Sequence, residues 1–456
     1  MSHFVYTPFD LEDTIAAIAT PPGEGGVAIV RLSGKRAREI ANTLFSGNVL
    51  NYSTHTVHLG WVLDVQGHRI DEALLLVMLG KKSFTGEDTI EFQCHGGFYA
   101  SKKILEALIE AGARLAKPGE FALRAFLAGK IDLSQAEAIG QLIGAKNEHA
   151  FSAASSQLAG NLSIKITSFQ QNLTKIGAIL EAWVDFPEEG LEFATLETLL
   201  EEIYPICGAV KELIATFENG RKISCGISCA LIGPPNVGKS SLMNRLLGKE
   251  RAIVASIPGT TRDFLEEDLM LGGVNFRLID TAGIRSGSDE VEREGIFRAK
   301  QALKEADLVL LVLDASDPPE KEFIENLPCE RTLLIWNKID LAKPPMLSSS
   351  FAKVVEISAK EGWGIKTLEN AIYDFVWKGS LPTKEEVVIT QLRHKEALVE
   401  VQTALSEVIR GLEEKISPEL VALEMRTCLK SLGKIMGTDV TEGLLNSIFS
   451  QFCIGK

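Results

Sequence analysis

The clearest chemical pattern in the chain is residues 233–240, which read GPPNVGKS between the apolar run ISCALI and the helical segment SLMNRLL. The spacing Gly-x4-Gly-Lys-Ser between a strand and a helix is typical of a phosphate-binding loop. Its backbone N–H groups and the helix amino terminus attract phosphate, while Lys239 can reach the β and γ oxygens and Ser240 can hold Mg²⁺. The predicted nucleotide contacts of this segment are Gly233, Asn236, Val237, Gly238, Lys239, Ser240 and Ser241.

Three further segments follow in the order that a guanine-nucleotide hydrolase requires. The run FRLID ends in Asp280, followed by Thr281, Ala282 and Gly283; the carboxylate can bind the magnesium shell, and the Gly283 N–H can meet the γ-phosphate. The run TLLIW is followed by Asn337, Lys338, Ile339 and Asp340. A carboxylate there can accept hydrogen bonds from guanine's ring N–H and exocyclic amine, a pair that adenine does not present. The run KVVEI is followed by Ser358, Ala359 and Lys360, whose backbone N–H groups can contact the guanine oxygen.

The sequence identifies the residues that promote GTP hydrolysis less directly than those that bind the nucleotide. Residues 259–263, GTTRD, are typical of a switch, in which the Thr261 hydroxyl can join the magnesium and the γ-phosphate. Thr260 and Thr261 are both predicted nucleotide contacts. Ile284 stands where small Ras-type GTPases place a glutamine that orients water, so another arrangement is needed. The Asn236 amide could ligate a monovalent cation or only cap its own loop. The other candidate is an acidic segment, which could act in catalysis or only form a solvated helix face. Its residues are Asp289, Glu290, Glu292 and Glu294.

Composition limits the classes of protein that remain. The 456 residues include 47 Lys and Arg against 61 Asp and Glu, a formal net charge of −14. Such a chain repels a nucleic-acid backbone overall, so any nucleic-acid role needs a local basic patch or a partner. The seven cysteines lack the spacing of a disulfide framework, which indicates a reducing, cytoplasmic compartment. No apolar run approaches the roughly 20 residues of a membrane span, and we expect no secretion signal.

Periodicity divides the chain into four segments. Residues 1–128 alternate β-type runs with a helical one, which predicts an α+β domain, and residues 129–222 turn to long amphipathic stretches of an all-α domain. Residues 223–380 alternate apolar strands with helices, as in a parallel α/β sheet, and residues 381–456 are helical again. Because the ends of a compact domain commonly lie close together, we predict that the α/β domain is inserted into one helical domain. Two unrelated helical regions are the alternative.

The whole chain resembles the MnmE/TrmE family, the bacterial GTPases that modify the wobble uridine of tRNA. Ribosome-assembly GTPases share the nucleotide motifs but lack the sequence segments that are most specific to this family. The resemblance implies a multidomain α/β and α+β protein with an N-terminal folate-binding domain that pairs two protomers, a central all-α domain and an inserted Ras-like P-loop GTPase domain. These family-specific segments are ATPPGEGGVAIVRLSG (19–34), SFTGEDTIEF (83–92), KPGEFALRAFLAGKIDLSQAEAI (117–139), DTAGIRSGSDEVEREGI (280–296) and FCIGK (452–456).

The resemblance also implies a folate site. The family takes a one-carbon unit from a tetrahydrofolate derivative, a 5-formyl or methylene form, and the matching positions are Arg31, Glu91, Lys130 and Lys456. The cationic side chains could pair with the carboxylates of the ligand, and Glu91 could accept from pterin donors. The alternative is that all four are ordinary surface charges. Cys453 matches a cysteine that tRNA modification needs, either as a nucleophile or only through packing.

For hydrolysis, the resemblance implies K⁺ in place of an arginine finger, with GTPase domains that dimerise across the nucleotide. Mg²⁺ would be held by Ser240 and Thr261. Glu292 matches the acid that orients the attacking water, and Arg285 would help order the switch. The expected potassium ligands are the Asn236 side chain and the backbone oxygens of Ala255, Ile257 and Thr260.

The family works with a flavoprotein partner, MnmG or GidA, which carries FAD. The homodimer and this partner form a heterotetramer that adds an aminomethyl or carboxymethylaminomethyl group at C5 of the wobble uridine. The acidic balance fits tRNA binding mainly through the complex. Two other functions stay open at this point: a regulatory GTPase without one-carbon chemistry, and a GTP-regulated folate-dependent aminomethyltransferase that needs no flavoprotein.

Overall fold

A computed structural model describes residues 12–185, 195–248, 266–271, 274–280, 306–317, 327–345, 351–377 and 386–455. The chain divides into two compact units, which are described separately. No helix in these ranges is both long enough and apolar enough to cross a membrane. The first unit comprises Met1–Ile143, Gln157–Gly208 and Ala397–Lys456, and the second comprises Gly144–Ser156 and Ala209–Glu396.

The first unit opens with a six-stranded sheet. Its order is β3-β4-β5-β2-β1-β6, and neighbouring strands are antiparallel except β1 and β6. The alternating apolar runs predict β2 to β5, which the structure confirms, whereas β1 and β6 are too short to give a periodic signal. The elements are β1 (Ile15–Ile18), β2 (Val27–Ser33), α1 (Ala37–Thr43), β3 (Thr56–Leu63), β4 (Arg69–Met78), β5 (Thr89–His95), α2 (Phe98–Glu110), β6 (Arg114–Leu115) and α3 (Glu120–Leu127).

Helices α1 and α2 cover one face of this sheet. Ile90, Phe92 and Cys94 of β5 are buried in a core that includes residues of α1 and α2. Because side chains alternate along a strand, Glu91 lies on the opposite face, paired in register with Arg31 of β2. The alternation therefore puts both predicted folate residues on the face of the sheet that α1 and α2 leave uncovered.

Five helices follow: α4 (Leu133–Gly144), α5 (Glu148–Leu158), α6 (Asn161–Asp185), α7 (Leu196–Ala215) and α8 (Phe217–Cys225). The amphipathic stretch over residues 133–158 forms two helices because Asn147 starts a new one, its Oδ1 accepting a hydrogen bond from the Ala150 N–H at 2.7 Å. Helix α7 continues through Pro205.

The second unit contains the α/β sheet. Its order is β12-β11-β10-β7-β9-β8, parallel except for the pair β8 and β9. All seven residues of β10 are buried, as expected for a central strand covered on both faces. The elements are β7 (Ile227–Ile232), α9 (Lys239–Leu247), β8 (Glu266–Leu271), β9 (Val274–Asp280), β10 (Leu308–Asp314), β11 (Thr332–Asn337), β12 (Lys353–Glu356) and α10 (Ile365–Val376).

The chain ends in three helices: α11 (Leu392–Glu413), α12 (Pro418–Met436) and α13 (Glu442–Phe449). Within the first unit, α12 packs on α6. Gly177 of α6 lies against Met425, and Arg426 forms an ion pair with Glu181 at 2.6 Å. These contacts join helical segments that precede and follow the α/β sheet in sequence.

Candidate functional site

The phosphate-loop motif lies between β7 and α9, as its spacing predicts. Gly238 stands at the helix start with φ 97°, in the left-handed region that glycine adopts without strain. A Cβ at Gly238 would overlap the Asn337 side chain, and one at Gly233 would overlap the Val312 carbonyl. The loop backbone therefore passes directly against the ends of β10 and β11.

Polar side chains of the loop fall into two groups. The Lys239 Nζ donates to the carbonyls of Gly233 at 2.8 Å and Pro234 at 2.7 Å, and its side chain is buried. Asn236, with φ 61°, is exposed, and so are Ser240 and Ser241. The ammonium is thus held against the loop, while the predicted cation ligands Asn236 and Ser240 face solvent.

Asn337 ties the phosphate loop to the third nucleotide motif. Its Nδ2 donates to the Val237 carbonyl at 2.7 Å, and its Oδ1 accepts from the Ala359 N–H at 2.9 Å. The side chain is 2% exposed, so neither bond competes with bulk water. One amide therefore fixes the spacing between the segments predicted to hold phosphate and base.

Lys338 is held by a residue that the sequence motifs did not single out. The Lys338 Nζ donates to Asp314 at 2.6 Å, at the carboxyl end of the neighbouring strand β10. Burial opposes ionisation of Asp314, but hydrogen bonds from Lys338 and Ser316 outweigh it and lower the pKa of the carboxyl. In the sequence, Asp314 could have been identified as the aspartate that ends the apolar run LVLLVLD.

Asp340 presents an acceptor with no partner. Its Oδ1 is buried and, within the described part of the chain, makes no hydrogen bond. A buried carboxylate oxygen left in this way costs free energy unless a donor reaches it. Nearby, the Ile339 N–H donates to the Ile357 carbonyl at 3.2 Å, which brings the segment of Asp340 beside Ser358 and Ala359. This geometry suits a base that carries N–H donors.

Ser358 and Lys360 belong to the fourth nucleotide motif. The buried Ser358 Oγ accepts from the Glu361 N–H at 3.1 Å, and the Lys360 carbonyl accepts from Arg245 of α9 at 2.8 Å. Together with Asn337, these bonds link the three described nucleotide motifs into one network around the carboxyl ends of β7 and β11.

The structure describes only part of the second nucleotide motif. Asp280 ends β9, with its backbone in register with Leu231 of β7. Ten predicted site residues lie outside the described ranges: Ala255, Ile257, Thr260, Thr261, Thr281, Ala282, Gly283, Arg285, Glu292 and Lys456.

A second candidate site lies on the sheet of the first unit. The Arg31 Nε donates to Glu91 Oε1 at 2.7 Å, and its Nη1 donates to the Gly455 carbonyl at 3.2 Å. The guanidinium also lies over the Phe121 ring, 5.6 Å from its centre. Sequence motifs gave no reason to single out Phe121, which is buried beneath the arginine.

The predicted folate residue Lys130 and the predicted catalytic residue Cys453 have other contacts. The Lys130 Nζ donates to the Lys81 carbonyl at 2.7 Å rather than to the Glu91 carboxylate. Cys453 is exposed, and its carbonyl accepts from the Gly119 N–H at 3.4 Å. The structure thus brings Arg31, Glu91 and Gly455 together, and gives Lys130 a separate partner.

Comparison with known proteins decides the family. The family model for the N-terminus of GTP-binding protein TrmE matches residues 14–130, and the model for the MnmE helical domain matches residues 133–453. A protein of Protochlamydia amoebophila named tRNA modification GTPase MnmE is 51% identical, covering 99% of this chain and 100% of that protein. This chain belongs to the MnmE family. With its nucleotide motifs, this membership makes the chain a P-loop GTPase, as predicted.

Other comparisons agree with this membership. The MnmE of Chlamydia pneumoniae is 48% identical, covering 97% of this chain and 99% of that protein. Among solved structures, the G domain of the T. maritima FeoB iron transporter is 32% identical over 33% of this chain and 98% of that chain, with a TM-score of 0.25. A TM-score this low adds nothing to the assignment of this MnmE family member.

Proposed function

We propose that this chain hydrolyses GTP as part of the enzyme that adds an aminomethyl or carboxymethylaminomethyl group to C5 of the wobble uridine in tRNA. A single observation carries the proposal: the chain matches a protein named tRNA modification GTPase MnmE over 99% of its length at 51% identity. The match includes both compact units, so it supports the combined activity rather than GTP hydrolysis alone.

Guanine is the proposed base, and Asp340 is its proposed recognition residue. The unpartnered, buried Oδ1 of Asp340 supports this role because guanine's ring N–H and exocyclic amine would supply the missing donors. The backbone N–H groups around Ala359 would meet the guanine oxygen. Lys239 and the loop backbone would bind the β- and γ-phosphates.

Mg²⁺ and K⁺ are the proposed metal cofactors. Exposed oxygens of Ser240 and Asn236 fit these cations, which prefer oxygen ligands, and Thr261, Thr260, Ala255 and Ile257 are proposed to complete the two shells. A bound monovalent cation supplies positive charge near the β–γ bridging oxygen, where negative charge grows during hydrolysis. Glu292 is proposed to orient the attacking water, and Arg285 to help order the switch.

A tetrahydrofolate derivative is the proposed one-carbon donor. Arg31 has five N–H groups; it donates to Glu91 and Gly455, and the others suit a ligand carboxylate. Glu91 is buried beside it and could accept from pterin donors. Lys130 and Lys456 are proposed to add positive charge near this site, and Cys453 is proposed to act next to it.

The N-terminal domain is proposed to form a homodimer through the sheet face opposite α1 and α2, at strands β3 and β4. Leu59 of β3 is 69% exposed and Leu74 of β4 is 41% exposed, and the two residues are directly paired in register. Val57 and Val27 extend this apolar face and are also exposed. Large apolar side chains that share one strand face commonly mark a surface that another protein covers.

The proposed complex contains MnmG, the flavoprotein that carries FAD, in a heterotetramer. A net charge of −14 supports division of labour, because a partner would have to supply most of the cationic contacts to tRNA. All seven cysteines are free thiols, which supports a cytoplasmic location.

Reconstitution tests this proposal. The full chain, purified MnmG, a tRNA transcript, GTP, K⁺, Mg²⁺, FAD, an amine donor and methylene-tetrahydrofolate are combined, and wobble uridine is analysed by nucleoside mass spectrometry. We expect modification that stops when GTP, the folate or the flavoprotein is left out. Modification at an undiminished rate without the flavoprotein or without GTP would contradict the proposal.

A further inference from the structure

Phe452, near the carboxyl end of the chain, packs against the backbone of two glycines. Gly140 of α4 faces the Phe452 ring, and a Cβ built there would lie 3.7 Å from it. On the other side, a Cβ at Gly119 would lie 3.1 Å from the Phe452 Cβ and 2.5 Å from the Phe449 carbonyl. The two glycines, with no side chains of their own, make a slot in which the Phe452 side chain sits.

Aromatic packing closes the slot. The Phe452 and Phe449 rings are 5.5 Å apart, and the Phe449 ring lies 6.4 Å from Phe126 of α3. Phe449 is 1% exposed in a core that includes Ala136 of α4. Pairs of rings at these separations attract each other beyond the effect of the area they bury.

The segment beyond Phe452 is held by hydrogen bonds at the Cys453 and Gly455 carbonyls. The Cys453 carbonyl accepts from the Gly119 N–H at 3.4 Å, and the Gly455 carbonyl accepts from Arg31 at 3.2 Å. Gly455 is buried so closely that a Cβ would lie 2.5 Å from the Ile18 carbonyl. Cys453 itself and Ile454 stay exposed. The backbone is thus anchored while the thiol remains accessible.

We propose that Phe452 is a positioning residue: seated in the slot of Gly119 and Gly140, it holds the Cys453 thiol beside the Arg31–Glu91 pair. Cys453 precedes Gly455 by two residues, which span at most about 7 Å, so the anchored chain keeps the thiol near the guanidinium. The inference rests on the proposed function, since it gives Cys453 a fixed place at the one-carbon site.

The test compares variants that empty or block the slot with matched controls in the full-length protein. Phe452→Ala removes the ring and Gly140→Val fills its seat. Phe452→Tyr keeps the ring, and Gly144→Val places the same side chain on the same helix, where a Cβ meets nothing within 4 Å. Each variant is assayed with MnmG for tRNA modification and alone for basal GTP turnover.

We expect Phe452→Ala and Gly140→Val to lower the kcat of modification roughly 10- to 100-fold, because misplacing a reacting group by about 1 Å has effects of this size. The KM for GTP and the basal GTP turnover should stay at the wild-type values. Phe452→Tyr and Gly144→Val should modify tRNA like the wild type. Unchanged kcat in both slot variants, or an equal loss in Gly144→Val, would overturn the inference.

A second readout separates this inference from the proposed function. Carboxypeptidase should shorten the terminus of Phe452→Ala several-fold faster than that of the wild type and of Phe452→Tyr, followed by intact-mass spectrometry. If the wild type modifies no tRNA at all, the proposed function fails, and the digestion still decides whether Phe452 anchors the terminus. Equal digestion of Phe452→Ala and the wild type would overturn the anchoring.

Discussion

At the residue scale, the nucleotide motifs stabilise their own geometry as well as offering contacts to a ligand. Asn337 joins the Val237 carbonyl to the Ala359 N–H, and Lys338 neutralises Asp314. Asp340 differs from Asn337 and Lys338, because its buried Oδ1 has no hydrogen-bond partner in the described part of the chain. The motif thus combines two residues that hold the site together with one that is available to a base.

The first prediction concerns the choice of base. Asp340→Asn replaces an acceptor-only carboxylate with an amide that also donates, so it should weaken GDP binding roughly 10- to 100-fold, as expected for one charge-assisted hydrogen bond. Xanthosine diphosphate should bind better to this variant than to the wild type, because xanthine carries an oxygen in place of the amine. Fluorescence titration with both nucleotides measures this, with the exposed Asp317→Asn as control. Unchanged preference for GDP would exclude Asp340 as the recognition residue.

The second prediction concerns the cation. Asn236 has a left-handed backbone with φ 61°, so Asn236→Gly removes the amide without adding strain. If the amide ligates K⁺, this variant should lose most of the K⁺ stimulation of GTP turnover, while its affinity for GDP stays nearly intact. Turnover is measured in KCl and in NaCl at equal ionic strength. Stimulation equal to that of the wild type would place the cation elsewhere.

At the element scale, a buried ionic network joins β6 to α3. Glu120, in the first turn of α3, accepts from Arg114 of β6 at 2.7 Å and from Arg124 at 3.0 Å. Burial would raise the pKa of Glu120, but hydrogen bonds from Arg114 and the Lys117 N–H, with the charges of both arginines, lower it instead. The carboxylate therefore stabilises the folded protein only while it is ionised.

The third prediction is the pH dependence that follows. Because the folded pKa of Glu120 lies below its ordinary value of 4.5, its stabilisation is present above that pH and is lost as pH falls through the folded pKa. Glu120→Gln should lower the free energy of unfolding at pH 7 by about 3 kcal/mol. This deficit should shrink as the solution is acidified below about pH 4. Urea unfolding measures it, with the exposed Glu110→Gln as control; a deficit independent of pH would contradict the assignment.

Prediction from sequence works best for elements with strong periodicity. The buried run of β10 and the alternating run of β5 give their strands directly, because burial on two faces or on one sets the pattern. Strand β8 gives no such signal, since it begins with Glu266, Glu267 and Asp268 and lies at the sheet edge, where pairing with β9 overrides composition.

In the candidate sites, too, the sequence predicts only what is local in the chain. Local motifs locate Lys239, Asn337 and Asp340, because each motif is continuous in sequence. The partnership of Asp314 with Lys338 and the seat of the terminus on Gly119 depend on contacts between distant segments, and no periodicity in the chain encodes them. The inferred insertion of the α/β domain and its boundaries stay predictions.

At the scale of the whole molecule, the two compact units carry different chemistry. The nucleotide motifs lie in the second unit, and the Arg31–Glu91 pair with the chain terminus lies in the first. An enzyme that links hydrolysis to modification would need communication between these units or between protomers. The proposed dimer offers one route for such communication.

The fourth prediction tests the dimer. Leu59→Lys puts a charge on the apolar sheet face, directly beside its register partner Leu74. We expect sedimentation equilibrium to find the dimer of the wild type and mainly monomer for the variant, because burying an unpaired charge costs several kcal/mol. Leu50→Lys is the control, as an exposed leucine of the same domain. A variant that stays dimeric would move the interface to another surface.

The most direct test of the central claim is nucleoside mass spectrometry of bulk tRNA from cells that lack this chain, complemented with the wild type or with Lys239→Ala. We expect the C5-modified wobble uridine to disappear in the deletion strain, to return with the wild type, and to stay absent with Lys239→Ala. An unchanged nucleoside profile in the deletion strain would contradict a role in tRNA modification. Full restoration by Lys239→Ala would show that modification does not depend on the GTPase.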